Sequence, residues 1–297
     1  MSILVVGATG GVGGAIAAGI ARHGSRVRAL LRGGNTHPKA GALSNAGIEI
    51  VAGDLRDPST LGQACRGTET VVTTATSMPS AADNGLRRID HDGALALIDA
   101  AEKADAQKFV YVSYSGNIRI DSPLERAKRA CEDRLLAGNM EASILRPSYF
   151  MEMWLSPMLG FDPVNGTVRI YGSGDGEVSY ISSSNVADFA IAAAVAPPTG
   201  KKIIVEMGGP EALSLRDVVK VFEEKLGKSI HIDSVPLEAL QEQHKSSDPL
   251  QQTFAALMLG YAVGDAVTDA VENAQKYGVR LRSVPEFAAA FVPTAAI

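Results

Sequence analysis

A chain of 297 residues, 46% apolar and 21% charged, can bury one large α/β core with a smaller lobe, or two domains. Its net charge of −5 speaks against a nucleic-acid-binding surface, which needs a basic excess. Two distant cysteines, Cys65 and Cys131, and five histidines without ligand spacing offer no metal or redox motif, and no apolar run reaches the length of a membrane span. A reducing compartment, the cytoplasm, is the simple expectation, and a strand at the very start leaves no room for a signal peptide.

The first element is that strand, Ile3-Leu4-Val5-Val6, followed by Gly7-Ala8-Thr9-Gly10-Gly11-Val12-Gly13-Gly14. Apolar residues then recur at Val12, Ile16, Ala17 and Ile20, the spacing of a helix face. Strand, glycine turn and helix present backbone N–H groups and the positive end of a helix dipole to a phosphate. Without side chains at Gly7, Gly10 and Gly13, a pyrophosphate can lie close to the main chain. The Gly-x-x-Gly-x-x-Gly spacing departs from the usual dinucleotide fingerprint. A turn that only packs the helix tightly is the alternative.

A second strand, Arg26–Arg32, ends in an arginine where a coenzyme without a 2′-phosphate would meet an acid. A guanidinium there suits a 2′-phosphate, so NADP(H) is expected over NAD(H); a solvated strand-end arginine is the alternative. The third strand, Ile48–Leu55, ends at Asp54, which could accept from an adenine amino group or simply form a turn. Thr70–Ala75 is a fourth strand whose small residues, Thr74 and Ala75, would allow a ribose to approach. The polar loop Thr76–Gly85 reads as a flap, and Ile89–Ala104 as a helix with Leu95, Ile98 and Ala101 inward. A fifth strand, Lys108–Gly116, a helix, Pro123–Ala137, and a sixth strand, Ala142–Pro147, complete an alternation that implies a doubly wound parallel sheet with ligands at the strands' carboxyl ends.

Past Trp154 the rhythm changes. Gly166–Tyr171 and Glu177–Ile181 read as a hairpin around Gly172–Gly176, Asn185–Val195 as a helix, and Lys202–Glu206 as a strand. Ser214 caps a helix to about Leu226 that Gly227 ends, His231–Val235 is a short strand, and the tail is mostly helical.

Together, Gly7–Gly13, the Arg32 turn, Gly53-Asp54, Val110–Ser113, the Lys128-x-x-x-Glu132 helix and Leu145–Phe150 resemble the atypical short-chain dehydrogenase/reductases, and within them the NmrA-like, isoflavone-reductase-like group. The resemblance implies a Rossmann domain over residues 1–153, rejoined by about 182–207. It also implies a smaller α+β substrate lobe from 154–181, the hairpin included, and 208–297. Gly7, Thr9, Gly10, Gly11, Val12, Gly13, Arg32, Asp54, Leu55, Thr74, Ala75, Ser113, Lys128, Pro147, Tyr149 and Phe150 would hold NADP(H).

Most short-chain dehydrogenases carry a tyrosine four residues before the active-site lysine; here that position is Leu124. The resemblance makes Lys128 the first acid–base candidate, its pKa depressed beside a cationic nicotinamide ring. It could instead only position the coenzyme ribose, or belong to a solvated face with Glu125, Arg126, Arg129 and Glu132. Ser115 is a further candidate, and Tyr114 or Tyr149 could supply a replacement phenol. Met151, Met153, Trp154, Phe150 and Phe161 would wall an aromatic substrate or pack the core.

The expected activity is an NADPH-dependent reductase of a quinone, enone or similar conjugated small molecule, acting as monomer or homodimer without nucleic acid or membrane. A non-catalytic NADP(H) sensor that binds a partner protein is the competing reading. A nucleotide-sugar epimerase or dehydratase is disfavoured by Leu124.

Overall fold

A computed structural model describes residues 1–292. The first part of the chain alternates β1 (Ser2–Val6), α1 (Gly11–Arg22), β2 (Arg26–Leu31), α2 (Ala40–Asn45), β3 (Glu49–Ala52), α3 (Leu61–Cys65), β4 (Thr70–Thr73), α4 (Asp92–Lys103), β5 (Lys108–Val112), α5 (Pro123–Ala137) and β6 (Glu141–Pro147). The rest comprises α6 (Met151–Trp154), β7 (Phe161–Asp162), β8 (Thr167–Tyr171), β9 (Glu177–Val178), α7 (Ser183–Val195), β10 (Lys202–Met207), β11 (Leu213–Ser214), α8 (Leu215–Leu226), β12 (His231–Val235), α9 (Glu238–His244), α10 (Pro249–Val263), α11 (Ala270–Tyr277) and α12 (Val284–Ala288).

Seven strands form one sheet in the order β10-β6-β5-β4-β1-β2-β3. Neighbours from β1 to β6 pair in parallel, as βαβ crossovers require. The sheet is the doubly wound one expected from the sequence, and β10 joins its edge. Ala142 N donates to Lys201 O and Ser148 N to Met207 O, so β6 and β10 advance together. β4 and β5 are buried along their whole length, the mark of a sheet covered on both faces. On α1, Ile16, Ala17 and Ile20 are fully buried, each isoleucine stabilising the fold by about 1.5–3 kcal/mol.

The chain divides into two compact units. One comprises Met1–Tyr114, Asp121–Arg146 and Val186–Val205; the other comprises Ser115–Ile120, Pro147–Asn185 and the chain from Glu206 on. In the first unit Leu4, Val71, Leu97, Ile98, Phe109 and Ile144 share one core. In the second, Phe161 packs edge-on against Phe222 at 4.9 Å, and Phe222 meets Phe291 at 5.3 Å. Phe161 is thus core here, not part of an aromatic wall with Trp154.

The expected hairpin does not form. β8 pairs antiparallel with β7 and parallel with β12, while β9 pairs with β11. Gly172 and Gly174 both adopt positive φ, and the five-residue loop sends the chain to a different sheet. The turn chemistry marks a reversal of the chain but not its partner. The fourth helix is also entered differently: Leu86–His91 forms a wide π-type turn before α4, and Leu95 is only partly buried. Ser214 and Gly227 cap α8 as expected, the serine hydroxyl accepting from Asp217 N and the glycine adopting φ 65°.

Candidate functional site

The turn between β1 and α1 is closed by its own backbone. Gly7 takes φ +97°, and a Cβ at Gly13 would fall 2.2 Å from Gly7 O and 2.8 Å from Thr74 Oγ1. A Cβ at Gly7 would lie 2.7 Å from the same threonine oxygen. Both glycines therefore seat the turn against α1 and the end of β4. Gly11 is different, because a Cβ there would meet nothing within 4 Å. The N-cap of α1 is Gly10, which brings no side chain to its first N–H groups, and no acid stands in the first turn. Those donors and the helix dipole suit an anion. The residues thus fit a dinucleotide's pyrophosphate.

Arg32 lies just past β2 and is exposed. Lys39 is a second cation, with no motif of its own in the sequence: its Nζ donates to Thr9 O at 2.6 Å, on the glycine turn itself. Only its place in the polar stretch after Arg32 signalled it. Asp54 is drawn to Arg56, with Oδ2 2.7 Å from Nη2, and its Oδ1 accepts from Arg56 N. Burial pushes the Asp54 carboxyl up, but the hydrogen bonds and charge of Arg56, with the field of Arg32, hold it below the ordinary range. In this geometry the Asp54 carboxylate is already engaged by Arg56. Leu55 is buried beneath the wide turn, where a Cβ on Gly93 would meet its backbone oxygen at 2.5 Å.

Helix α5 explains Lys128. Ser122 caps it and Pro123 opens it, and its buried face carries Leu124, Ala127, Lys128, Cys131, Glu132 and Leu135. Lys128 and Glu132 therefore point inward, and a wholly solvated charged face is ruled out. Lys128 is 6% exposed. It donates to Val112 O at 3.2 Å, its one hydrogen-bond acceptor among the described residues, and lies 5.0 Å from the Tyr111 ring centroid. Burial lifts the Tyr111 phenol far above its usual range, so that ring stays neutral. Of three ammonium donors, two have no protein acceptor there. Glu132 is a hub, accepting from Ser113 Oγ at 2.5 Å, Arg129 Nη1 at 2.7 Å and Arg146 Nε at 3.1 Å. Ser113 is therefore tied to α5. Tyr114 packs under Arg129, 4.9 Å from ring centroid to guanidinium, and burial raises its pKa as well.

After β4, Thr74 N donates to Val6 O, and the loop beyond turns at Ser77. Asp90, buried in the wide turn, accepts from Ser77 N at 2.9 Å and Ser77 Oγ at 2.5 Å, pinning the segment expected to act as a flap.

Ser115, Pro147, Tyr149 and Phe150 belong to the second unit. Ser115 is fully buried and its hydroxyl donates to Asp265 Oδ1 at 2.7 Å, where Asn117 Nδ2 also donates at 3.0 Å. Tyr149 donates its phenol to Leu257 O at 3.1 Å. Trp154 lies 4.4 Å from the Tyr149 ring and 4.6 Å from Tyr261. Phe150 N-caps α6 and bridges to Ile181, and Met151 is buried. The structure thus gathers the glycine turn, Arg32, Asp54, Leu55, Thr74, Ala75, Ser113, Tyr114 and Lys128 in one unit and Ser115, Pro147, Tyr149 and Phe150 in the other. Asp265, 150 residues from Ser115, had no local sequence signal. Among the described residues no cluster of three or more His, Cys, Asp or Glu could hold a metal, and no helix is long and apolar enough to cross a membrane.

A model of the NmrA-like family matches residues 1–277. The photosystem II assembly factor Ycf39 of Trieres chinensis is 30% identical over 247 residues, covering 81% of this chain and 74% of the relative. Among solved structures, the NADPH-dependent quinone oxidoreductase QOR2 of Escherichia coli, complexed with NADPH, superposes with a TM-score of 0.79 at 20% identity, covering 98% of this chain and 99% of that one. The Citrobacter triphenylmethane reductase complexed with NADP(H) gives 0.77 at 21% identity, with 98% and 99% covered. At these identities the structural likeness establishes the fold.

Proposed function

The chain belongs to the NmrA-like family, and from that premise we propose that it is an NADPH-dependent reductase of a quinone, enone or similar conjugated small molecule. The observation that carries this reading is Lys128, a buried lysine beside the carboxyl end of β5 with a single protein acceptor among the described residues. An ammonium has three donors, so a single acceptor leaves two that a ligand group can take. The coenzyme supplies a hydride from its nicotinamide ring. The chain's own residues do the rest. The α1 N-terminus and glycine turn hold the pyrophosphate, and Arg32, with Lys39 beside the turn, takes the 2′-phosphate. Lys128 gives the acceptor its proton, the task a tyrosine would share if Leu124 were one. In the second unit, Trp154, packed with Tyr149 and Tyr261 and the partly exposed member of the three, is a ring of the kind a conjugated acceptor stacks on. Buried reduced thiols at Cys65 and Cys131 fit a reducing compartment such as the cytoplasm. The names of the quinone and dye reductases that share the fold support the choice of acceptor.

Two observations favour a second reading, a non-catalytic NADP(H) protein that engages a partner. Leu124 removes the usual phenol, and the Ycf39 relative is named for assembly rather than turnover. NADPH oxidation against a panel of quinones, enones and cationic dyes separates the two. Turnover that Lys128→Ala abolishes while NADPH binding survives supports the reductase. Tight NADPH binding with no turnover across the panel supports the second reading.

A further inference from the structure

The loop after β4 is built as a closed unit. Ser77 and Gly85 meet at its base, where a Cβ on Gly85 would fall 2.5 Å from the serine Cβ. Ala81 N donates to Ser77 O at 2.8 Å and Gly85 N to Ala81 O at 3.2 Å, so the chain between them packs on itself. The base is fixed by Asp90, which accepts from Ser77 N and Oγ. The tip is not. Ala82, Asp83 and Asn84 are exposed, and the Asp83 and Asn84 side chains have no hydrogen-bond or ion-pair partner among the described residues. Ala81, Asp83 and Asn84 adopt φ of 43°, 54° and 56°, the left-handed region that residues other than glycine occupy at a cost. Strain of this kind gathers in ligand clamps and switch segments.

The loop leaves β4 beside the glycine turn, since Thr74 Oγ1 stands 2.7 Å from the Cβ position of Gly7. Across from it runs the segment after β3. Arg56, on that segment, commits Nε and Nη2 to Asp54, while its Nη1 has no hydrogen-bond partner among the described residues. The Arg56 guanidinium is held above its ordinary range by Asp54 first and by the charge of Asp83 as well, so the loop tip already faces this arginine. The two are not paired in this structure; the arginine's ion pair is with Asp54. All of these residues belong to the first compact unit.

We propose that Ser77–Gly85 is a lid over the coenzyme, swinging on the Ser77–Asp90 base and fastened when Asp83 takes the open Nη1 of Arg56. The strand order β4-β1-β2-β3 puts the glycine turn between the ends of β4 and β3, so a lid fastened from one to the other covers what the turn holds. A charge pair made only in the closed form slows release of the coenzyme and adds nothing to the stability of the free protein. The proposal rests on the coenzyme-binding part of the function proposed above and not on turnover.

Stopped-flow release of NADPH, followed by its fluorescence, and amide exchange of the loop test it, with Asp83→Asn as the critical variant. Asparagine tolerates the left-handed backbone and removes only the charge. In the unaltered protein, NADPH should slow amide exchange across residues 78–85. Asp83→Asn should speed NADPH release about tenfold, with the association rate and the unfolding midpoint of the coenzyme-free protein at parent values. High salt should narrow the gap between the two proteins. If NADPH binds but the variant releases it at the parent rate, or the loop exchanges equally with and without it, the lid is overturned and the coenzyme reading stands. If neither NADPH nor NADH binds, both are overturned.

Discussion

Strand β5 has a buried lysine at each end, and the two are treated oppositely. At the amino end, Lys108 is fully satisfied: its ammonium lies 2.9 Å from Glu141 Oε1, 3.1 Å from Ala193 O and 2.8 Å from Ala196 O. Glu141 in turn accepts from Gly200 N at 2.7 Å and from Thr199 N. At the carboxyl end, Lys128 has Val112 O and an aromatic face. The first arrangement locks α7 and the turn before β10 to the sheet. The second leaves donors at the end of the sheet where open α/β folds take their ligands. The two lysines share burial and differ in how far their donors are satisfied.

The largest expected effect breaks the amino end. Lys108→Met leaves Glu141 buried without its cation and should lower the unfolding free energy in urea by about 3–5 kcal/mol. Adding Glu141→Leu should recover most of that loss. The carboxyl end should respond the other way round. Lys128→Met should shift stability by no more than about 1 kcal/mol, since an apolar chain replaces an incompletely paired charge. It should lower turnover about 100-fold or more with NADPH binding retained. If Lys128→Met unfolds the protein as readily as Lys108→Met does, the contrast fails.

Coenzyme choice is the next, smaller effect. Arg32→Glu should weaken NADPH binding by about 1.5–3 kcal/mol and leave NADH binding nearly unchanged, read by titration calorimetry. The smallest effect is a pH dependence at Glu141. Burial raises its carboxyl, but Lys108 and the Thr199 and Gly200 N–H groups more than offset that, so its pKa lies below 4.5 in the folded state. A depressed folded pKa contributes stability above the unfolded value that is lost as pH falls through the folded one. Lys108→Met should move that acid loss to higher pH.

Much of this was readable from residue order. The β1–glycine–α1 unit, the strand alternation to Pro147 and the caps of α8 follow from local pattern, because period, proline and glycine act within a few residues. Arg32 was singled out by its distance after the glycine turn, and Lys128 by the resemblance to the short-chain dehydrogenases. What failed was pairing at range. β8 and β9 looked like partners because a glycine loop joins them, yet each finds its neighbour elsewhere: β12 more than fifty residues on, and β11 after α7 and β10. Asp265 meeting Ser115 and Lys39 reaching Thr9 belong to the same class, since a contact across the fold leaves no periodic trace.

The packing of Gly13 against Gly7 O also decides how mutants of this turn should be interpreted. An alanine at 13 collides with main chain and with Thr74, so it would deform the junction of β1, α1 and β4 whether or not a coenzyme ever docks there. Lost affinity in that variant would say nothing about contact. Gly11→Ala is the informative probe, because its added methyl meets no protein atom and so can obstruct only an incoming ligand. The same self-contained packing means the loop holds its shape beforehand, and a dinucleotide arriving there would bear little entropic penalty for organising it.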